Sequence, residues 1–465
     1  MSARVVVVGG GVTGLTAAHR LLGTRPRPEV LVLDAGDRAG GKLASARVAD
    51  LELEAGPDSF VARKPWAVEL CRELGLGDGL EAPAASGTFL WTDHGLEPLP
   101  RTAMGIPADP SELVTWKGMS LGGRLRALQD LVRRAPRVVG DESIGSLCRR
   151  RLGDEATDVL VAPLLGGLHA GDVDRLGVAA TFPELARWER DRGSLIRGAK
   201  AALGAAAGAG PMFLKPRDGT AALAEALAAA VGPERIRLRT RAIRVALDGD
   251  GVVVTTERED LRSDAAVLAV PAYVASELLE DPAPASAAES AGIPYASTGV
   301  VLLAYGDGSA EALPDATGFV VPAGRAPLTA ATFLSRKWPR PGYGSRAVIR
   351  CFVGGVGAEE VVDAGDEDVV AAVARYLAAA LALPPRPAAA SVVRWRQAMP
   401  QYEVGHLERV ARVREGLPAG IVVAGAGFDG VGIPDCVRSA QRAADAVLEH
   451  LTGRPAGSDR QERVR

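Results

Sequence analysis

Val5 to Val8 form an unbroken β-branched run, which suits a short parallel strand buried on both faces. The next segment, VTGLTAAHRLL, changes period: Val12, Leu15 and Ala18 fall at helical spacing and predict a helix with those residues inward. EVLVLDA predicts a second buried strand ending in Asp34, and LELEAGPDSFVARKP a strand that stops at Gly56-Pro57. From about Trp91 to Lys200 helical spacing takes over, and LGGRLRALQDLVRRAPRVV places Leu125, Leu128, Leu131 and Val132 on one face. An alanine-rich helix follows a turn in LKPRDGTAALAEALAAAVG, and RIRLRTRAIRVAL reads as one strand. A turn at Asp248 to Gly251 then leads into VVVTTE, and AAVLAVPAYVASELL reads as buried strand, proline turn and helix. Between about Pro282 and Val393 the strands STGVVLLAY, TGFVVP and AVIRCFVGG alternate with a helix around VVAAVARYLAAAL, which predicts a mixed sheet. Last, IVVAG breaks into Gly425, Gly427, Gly430 and Gly432, and a helix starts near Pro434. Its apolar face is Val437, Ala440, Ala444, Val447, Leu448 and Leu451.

The first strand and helix are joined by Gly9, Gly11 and Gly14 at the spacing G-x-G-x-x-G. Such glycines give a tight turn, close backbone approach to a pyrophosphate, and tight packing of helix on strand. The helix N-terminus offers free N–H groups and a partial positive charge to phosphate. Asp34 lies 23 residues beyond Gly11, where an acid binds an adenosine ribose. Together these predict a dinucleotide site, against the alternative of a ligand-free glycine turn. Gly40 and Gly41, between Arg38 and Lys42, form either a second cofactor-covering turn or a surface loop. Glycine at position 56 suits backbone lying against a flat ring, with Pro57 fixing the turn.

A chain of 465 residues that is 47% apolar is globular, with room for about two or three domains. Its formal charge of −3 argues against a nucleic-acid partner. Cys71, Cys148, Cys351 and Cys436 stand far apart, so neither a disulfide framework nor a zinc site is expected, and a reduced cytoplasmic setting is. The chain enters a core strand at once, which predicts no signal peptide, and no charge-free run reaches bilayer length. Arg124, Arg126, Arg133, Arg134 and Arg137 give the segment around Leu125 a strong positive charge. Such a helix can rest on an anionic membrane surface, peripheral on its inner face, or be a solvated helix packed on its own domain. No Ser-His-Asp set, carboxylate pair or H-E-x-x-H supports hydrolysis, and no metal is expected.

GGGVTGLTAA, DRAGGK and EAGPDSFVARK, with the later A-G-D…F-P-E-L block and RWRQAMPQYEVGH, resemble the bacterial porphyrinogen oxidases across nearly the whole chain. These are FAD-dependent protoporphyrinogen or coproporphyrinogen III oxidases of haem synthesis. The resemblance implies an α/β fold with a Rossmann-like FAD-binding domain of the amine-oxidase type, a mixed-sheet substrate domain and an inserted helical domain. The FAD-binding parts would be 1–75, 206–280 and 394–452, and the substrate parts 76–97 and 281–393. The helical, membrane-facing part would be 98–205, with a polar, disordered tail over 453–465.

The residues it implies for FAD are Gly9, Gly10, Gly11, Val12, Thr13, Gly14, Asp34, Ala35, Gly41, Lys42, Gly56, Pro57, Asp58 and Ser59, then Ala242, Trp395, Val431, Gly432 and Ile433. In this class the last helix points its N-terminus at the N1–C2 side of the flavin, where partial positive charge favours the reduced anion. Ala242 is alternatively an ordinary strand residue. The implied reaction is three two-electron oxidations of coproporphyrinogen III, with dioxygen as acceptor and hydrogen peroxide as co-product. Coproporphyrinogen is favoured by closeness to the G-P-D-S-F branch, while protoporphyrinogen stays open. Arg63 and Lys64 are candidates for substrate propionates, or a plain exposed basic pair. His169 stands where an aromatic usually precedes Ala-Gly-Asp, and no catalytic role is assigned to it or to any other residue. Trp338 reads as pocket wall or core. The rivals are an amine oxidase, a carotenoid desaturase and a non-catalytic FAD-binding protein, the first two disfavoured by the A-G-D…F-P-E-L and M-P-Q-Y…G-H blocks. Oligomeric state is not legible.

Overall fold

The structure, a computed structural model, describes residues 3–92, 94–134, 140–208 and 210–453. Arg137 and residues 454–465 of the tail therefore lie outside the described residues. At the base is a five-stranded parallel sheet in the order Ile236–Arg237, Glu29–Leu33, Arg4–Val8, Ala265–Leu268, Ile421–Val423. Val5 and Val7 face one side of it, Val6 and Val8 the other, and both sides are covered. That is why the central strand shows no polar alternation. Helices Val12–Leu22 and Ile433–Thr452 share the first side, meeting through small residues such as Ala17, Ala18, Ala440 and Ala444. The other side carries the antiparallel meander Ala242–Asp248, Gly251–Thr256, Asp260–Ser263 and the helices Ala272–Leu279, Pro284–Ala291 and His406–Glu415.

RIRLRTRAIRVAL is two strands in two different sheets rather than one. Arg239 turns the chain at φ 50°, and the N–H groups of Arg239 and Thr240 donate to the carbonyls of Gly36 and Asp34, both at 2.8 Å. The break hooks the segment onto the loop after the second strand, which no local periodicity signals.

A seven-stranded mixed sheet stands beside this base. Its order is Ala389–Pro400, Tyr295–Ala304, Val348–Gly354, Leu328–Phe333, Gly318–Val320, Phe89–Thr92, Gly95–Pro98. Only the Gly318–Val320 and Phe89–Thr92 pair is parallel. Helix Asp366–Leu381 covers one face. The hairpin Ser45–Val48, Leu51–Glu54 covers part of the other, packing Val48, Leu51 and Leu53 against Val300 and Leu302. A cut between 393 and 394 would sever strand Ala389–Pro400, and Pro284–Ala291 packs on the parallel sheet's side.

The helices from Pro110–Thr115 to Leu195–Ala206 close over a core of Leu113, Ile144, Leu147, Leu160, Leu185 and Leu195. The face of Leu125, Leu128, Leu131 and Val132 divides here. Helix Leu121–Leu128 passes into a tight turn at Gln129–Leu131, and the buried residues are Ala127 and Asp130, while Leu125 and Val132 are exposed. Asp130 enters this core as part of an ion pair. Asp130 accepts from Arg151 Nε at 2.6 Å, from Ser194 Oγ at 2.5 Å and from the Ile196 N–H at 2.9 Å. Leu128 and Leu131 pack half-buried on the same core, while Leu121, Leu125 and Val132 stay exposed.

Asp130→Ala leaves the buried Arg151 guanidinium with Glu189 Oε1, at 3.6 Å, as its remaining carboxylate, a change expected to remove about 3 kcal/mol. Hydrogen exchange over Ile144–Leu152 and Leu195–Ala206 is expected to accelerate strongly. Unchanged protection there would contradict the role given to this pair.

Candidate active site

The opening turn is fixed by backbone contact. A Cβ on Gly14 would sit 1.8 Å from the carbonyl oxygen of Gly9, and one on Gly9 would sit 2.3 Å from that of Ala269. Gly9 also takes φ 107°, which favours glycine. Gly11 differs, because a Cβ there would meet nothing within 4 Å. Two glycines therefore pack helix on strand, and the third faces open space where a phosphate can approach. Gly11 is the N-cap of helix Val12–Leu22, with no side chain capping it and no acid in the first turn. No side chain competes for the N–H groups of Val12, Thr13 and Gly14, as an anion site requires.

Asp34 closes the turn from the second strand. Its Oδ2 accepts from the Gly10 N–H at 2.6 Å and its Oδ1 from the Gly36 N–H at 2.7 Å. Each oxygen keeps a lone pair for a ribose hydroxyl. Ala35, next in line, is exposed. The second glycine pair docks on the first turn: the Gly40 N–H donates to the Gly10 carbonyl at 2.8 Å, and a Cβ on Gly41 would lie 3.2 Å from Gly11 Cα. Burial pulls the neighbouring Lys42 ammonium below its ordinary value, with the Cys436 thiol opposing. Ala242 is buried and begins two residues past the Thr240 contact with Asp34, so only its backbone is available to a ligand.

Gly56 leads from the hairpin toward the second sheet, and a Cβ on it would sit 1.7 Å from the Lys42 carbonyl oxygen. The Pro57 carbonyl accepts from Thr220 Oγ1 at 2.7 Å, and the Ala55 carbonyl from Trp395 Nε1 at 2.9 Å. Asp58 is held by Lys337 Nζ at 2.9 Å, Trp338 Nε1 at 3.2 Å and Ser59 Oγ at 2.9 Å. Burial pushes its carboxyl up, but Lys337 and Arg350 outweigh that and keep it ionised well below the usual carboxylate range. Trp338 is a buried core residue, packed with Leu334 and Val348.

The chain's other end completes the cradle. A Cβ on Gly425 would lie 3.2 Å from Thr13 Oγ1, so the last glycine loop rests on the first helix. Gly432 caps helix Ile433–Thr452 without a side chain, and Val431, Gly432 and Ile433 present that helix's N-terminus. Asp435 in its first turn pairs with Lys64 Nζ at 2.7 Å, while Arg63 is exposed. Lys64 is thus neutralised within the protein, and of the two basic residues Arg63 is the less engaged. Tyr402 stacks on His406 at 4.0 Å between ring centres and lies 5.9 Å from His169. Burial pulls both imidazoles down to about 4, with Lys64 adding to the effect at His169, so both are neutral near neutral pH. Among the described residues no group of acids, histidines or cysteines could hold a metal ion.

Sequence reasoning passed over Arg350, whose only local signal is a charge inside the apolar run AVIRCFVGG, and the Lys64–Asp435 pair, whose members are 371 residues apart.

The family described as flavin containing amine oxidoreductase matches residues 12–448. Coproporphyrinogen III oxidase of Bacillus subtilis is 31% identical over 463 residues, covering 96% of this chain and 98% of that one. The protein of the same name from Mycobacterium leprae is 34% identical, covering 95% and 97%. A crystal structure named as a candidate protoporphyrinogen oxidase, from Exiguobacterium sp. 255-15, superposes with TM-score 0.86 at 32% identity over 97% of this chain and 99% of that one. A putrescine oxidase variant at 17% identity and TM-score 0.72, covering 96% and 99%, shares the fold.

Asp34→Ala removes a charged acceptor from two backbone N–H groups and from any bound ribose. It is expected to weaken dinucleotide retention about ten- to a hundredfold, measured by equilibrium dialysis. Unaltered affinity would mean that Asp34 is not the ribose ligand.

Proposed function

The chain belongs to the flavin containing amine oxidoreductase family, and from that premise we propose that it oxidises coproporphyrinogen III to coproporphyrin III, a step of haem synthesis. FAD is the cofactor and dioxygen the acceptor. The observation that carries this reading is full-length similarity, at 30% identity and above, to relatives named for that reaction. Removing six hydrogens from the macrocycle takes three two-electron oxidations and turns three dioxygen molecules into three of hydrogen peroxide. FAD, when bound, supplies the two-electron chemistry.

The chain's own residues supply binding and electrostatics. The glycine turn and the unclaimed N–H groups of Val12 to Gly14 hold the pyrophosphate, and Asp34 the ribose. Gly56 to Ser59 and Trp395 set the wall where the ring system lies, and the N-terminus at Gly432 turns partial positive charge toward it. Arg63 binds a propionate at the mouth; Lys64 positions the start of the last helix through Asp435.

The helical layer supports a peripheral membrane contact in the same reading. Leu121, Leu125 and Val132 are 61%, 57% and 82% exposed, beside Arg124, Arg133 and Arg134. Exposed apolar side chains among arginines fit an anionic bilayer surface. Among the described residues no helix is long and apolar enough to cross a membrane.

Incubating the FAD-loaded protein with coproporphyrinogen III is expected to raise porphyrin fluorescence above the air-oxidation blank, and faster than with protoporphyrinogen. No rise with FAD bound would overturn the oxidase reading, and a faster rise with protoporphyrinogen would overturn the substrate. Arg63→Ala is expected to raise KM for coproporphyrinogen about tenfold or more, with kcat little changed; an unmoved KM removes Arg63 from the site. Flotation with anionic vesicles at low salt should carry the protein upward, and neutral vesicles should not. Failure to float on anionic vesicles removes the membrane contact.

A further inference from the structure

Arg350 is a buried cation on the second sheet with no carboxylate within ion-pair distance among the described residues, though Asp58 and Glu54 lie near enough to act on it electrostatically. It sits in strand Val348–Gly354, opposite Leu302 on one side and Thr332 on the other, and is 3% exposed. Its Nη2 donates to the carbonyl oxygen of Gly56, and its guanidinium carbon lies 4.6 Å from the centre of the Phe352 ring. Nε and Nη1 are buried with no hydrogen-bond partner among the described residues. An arginine cannot shed its charge, so a guanidinium in this state is tolerated only where surrounding charge or function offsets it.

The ionic groups around the Gly56 turn do not cancel. Glu54 takes Lys215 at 2.9 Å and Arg340 at 3.4 Å, and Lys215 also reaches Glu81 at 3.6 Å. Asp58 takes Lys337 at 2.9 Å. Glu54, Glu81 and Asp58 thus face Lys215, Lys337, Arg340 and Arg350, which leaves one positive charge over. Arg350 alone of those four lies within ion-pair distance of no carboxylate among the described residues. Its neighbour Phe352 excludes water and contributes a ring face to the cation.

We infer that Arg350 is a positioning residue that also acts electrostatically. It fixes the Gly56 carbonyl, and its charge, which Asp58 and Glu54 only partly offset, raises the reduction potential of the bound flavin. The inference rests on the reading that the Gly56-Pro57 turn lies against the flavin ring. Two-electron reduction with uptake of one proton adds one negative charge to the ring system. A fixed cation in a water-poor wall favours that state over the oxidised one. The electrons come from the reduced substrate, so no further reductant is needed.

The test is the midpoint potential of FAD in the full-length holoprotein, by dye-coupled titration without porphyrinogen, so that its failure is distinct from failure of the substrate assignment. Arg350→Met is expected to shift the reduction equilibrium at least tenfold toward oxidised flavin, about 30 mV for a two-electron couple. Arg350→Lys should keep the potential within threefold of the native equilibrium. Asp58→Asn, which removes a negative charge from the same cluster, should shift it the other way. A purely structural Arg350 would not produce shifts of opposite sign. An unmoved potential in Arg350→Met, or shifts of the same sign in it and Asp58→Asn, would overturn the inference. Should Arg350→Met fail to hold FAD, Asp58→Asn decides, and a potential unmoved or lowered there overturns it.

Discussion

The molecule depends on one close approach of backbone to backbone. At Gly14 the first helix lies so near the Gly9 carbonyl that any side chain would overlap it, with a Cβ at 1.8 Å from the oxygen. That contact sets the helix against the end of the parallel sheet and aims its N-terminal N–H groups outward. Other elements are placed relative to it. Asp34 reaches back to the Gly10 N–H, Gly40 docks on the Gly10 carbonyl, and Gly425 rests on Thr13. Segments more than 400 residues apart thereby line a single cradle of main-chain groups.

The cradle is joined to the second sheet by polar groups rather than by apolar packing alone. Around the Gly56-Pro57 turn, Ala55, Gly56 and Asp58 take donors from Trp395, Arg350 and the Lys337–Trp338 pair. Buried hydrogen bonds of this kind specify distance and register more sharply than hydrophobic contact, because a misplaced donor leaves an unsatisfied group in low dielectric. These bonds tie the Gly56-Pro57 turn to the second sheet. The imidazoles of His406 and His169, grouped with Tyr402, are neutral, and the charged groups of the cradle are Asp34, Lys42, the Lys64–Asp435 pair and those around the Gly56 turn.

Much of this was legible in the letters because it is local. The valine run, the glycine spacing, Asp34 and the closing glycines with Pro434 each carry their signal within a short window, and the strand and helix they predict are present. What was illegible depends on partners far away in sequence. Asp130, just past helix Leu121–Leu128, is buried with partners, Arg151 and Ser194, that lie 21 and 64 residues on. RIRLRTRAIRVAL breaks because the loop at Asp34 and Gly36 accepts its N–H groups. Lys64 reads as part of an exposed basic pair until Asp435 is beside it, and nothing local signals that Arg350 Nε and Nη1 are buried without a hydrogen-bond partner among the described residues. A periodic pattern reports which face is apolar, but not which buried charge overrides it.

The central claim is that this backbone cradle holds a flavin next to an oxidisable macrocycle. Mixing the FAD-loaded protein with coproporphyrinogen III in the absence of oxygen tests it most directly. The visible absorbance of oxidised flavin should bleach as porphyrin absorbance appears, and admitting air should restore it. A flavin spectrum that stays oxidised in the presence of excess porphyrinogen would contradict the account.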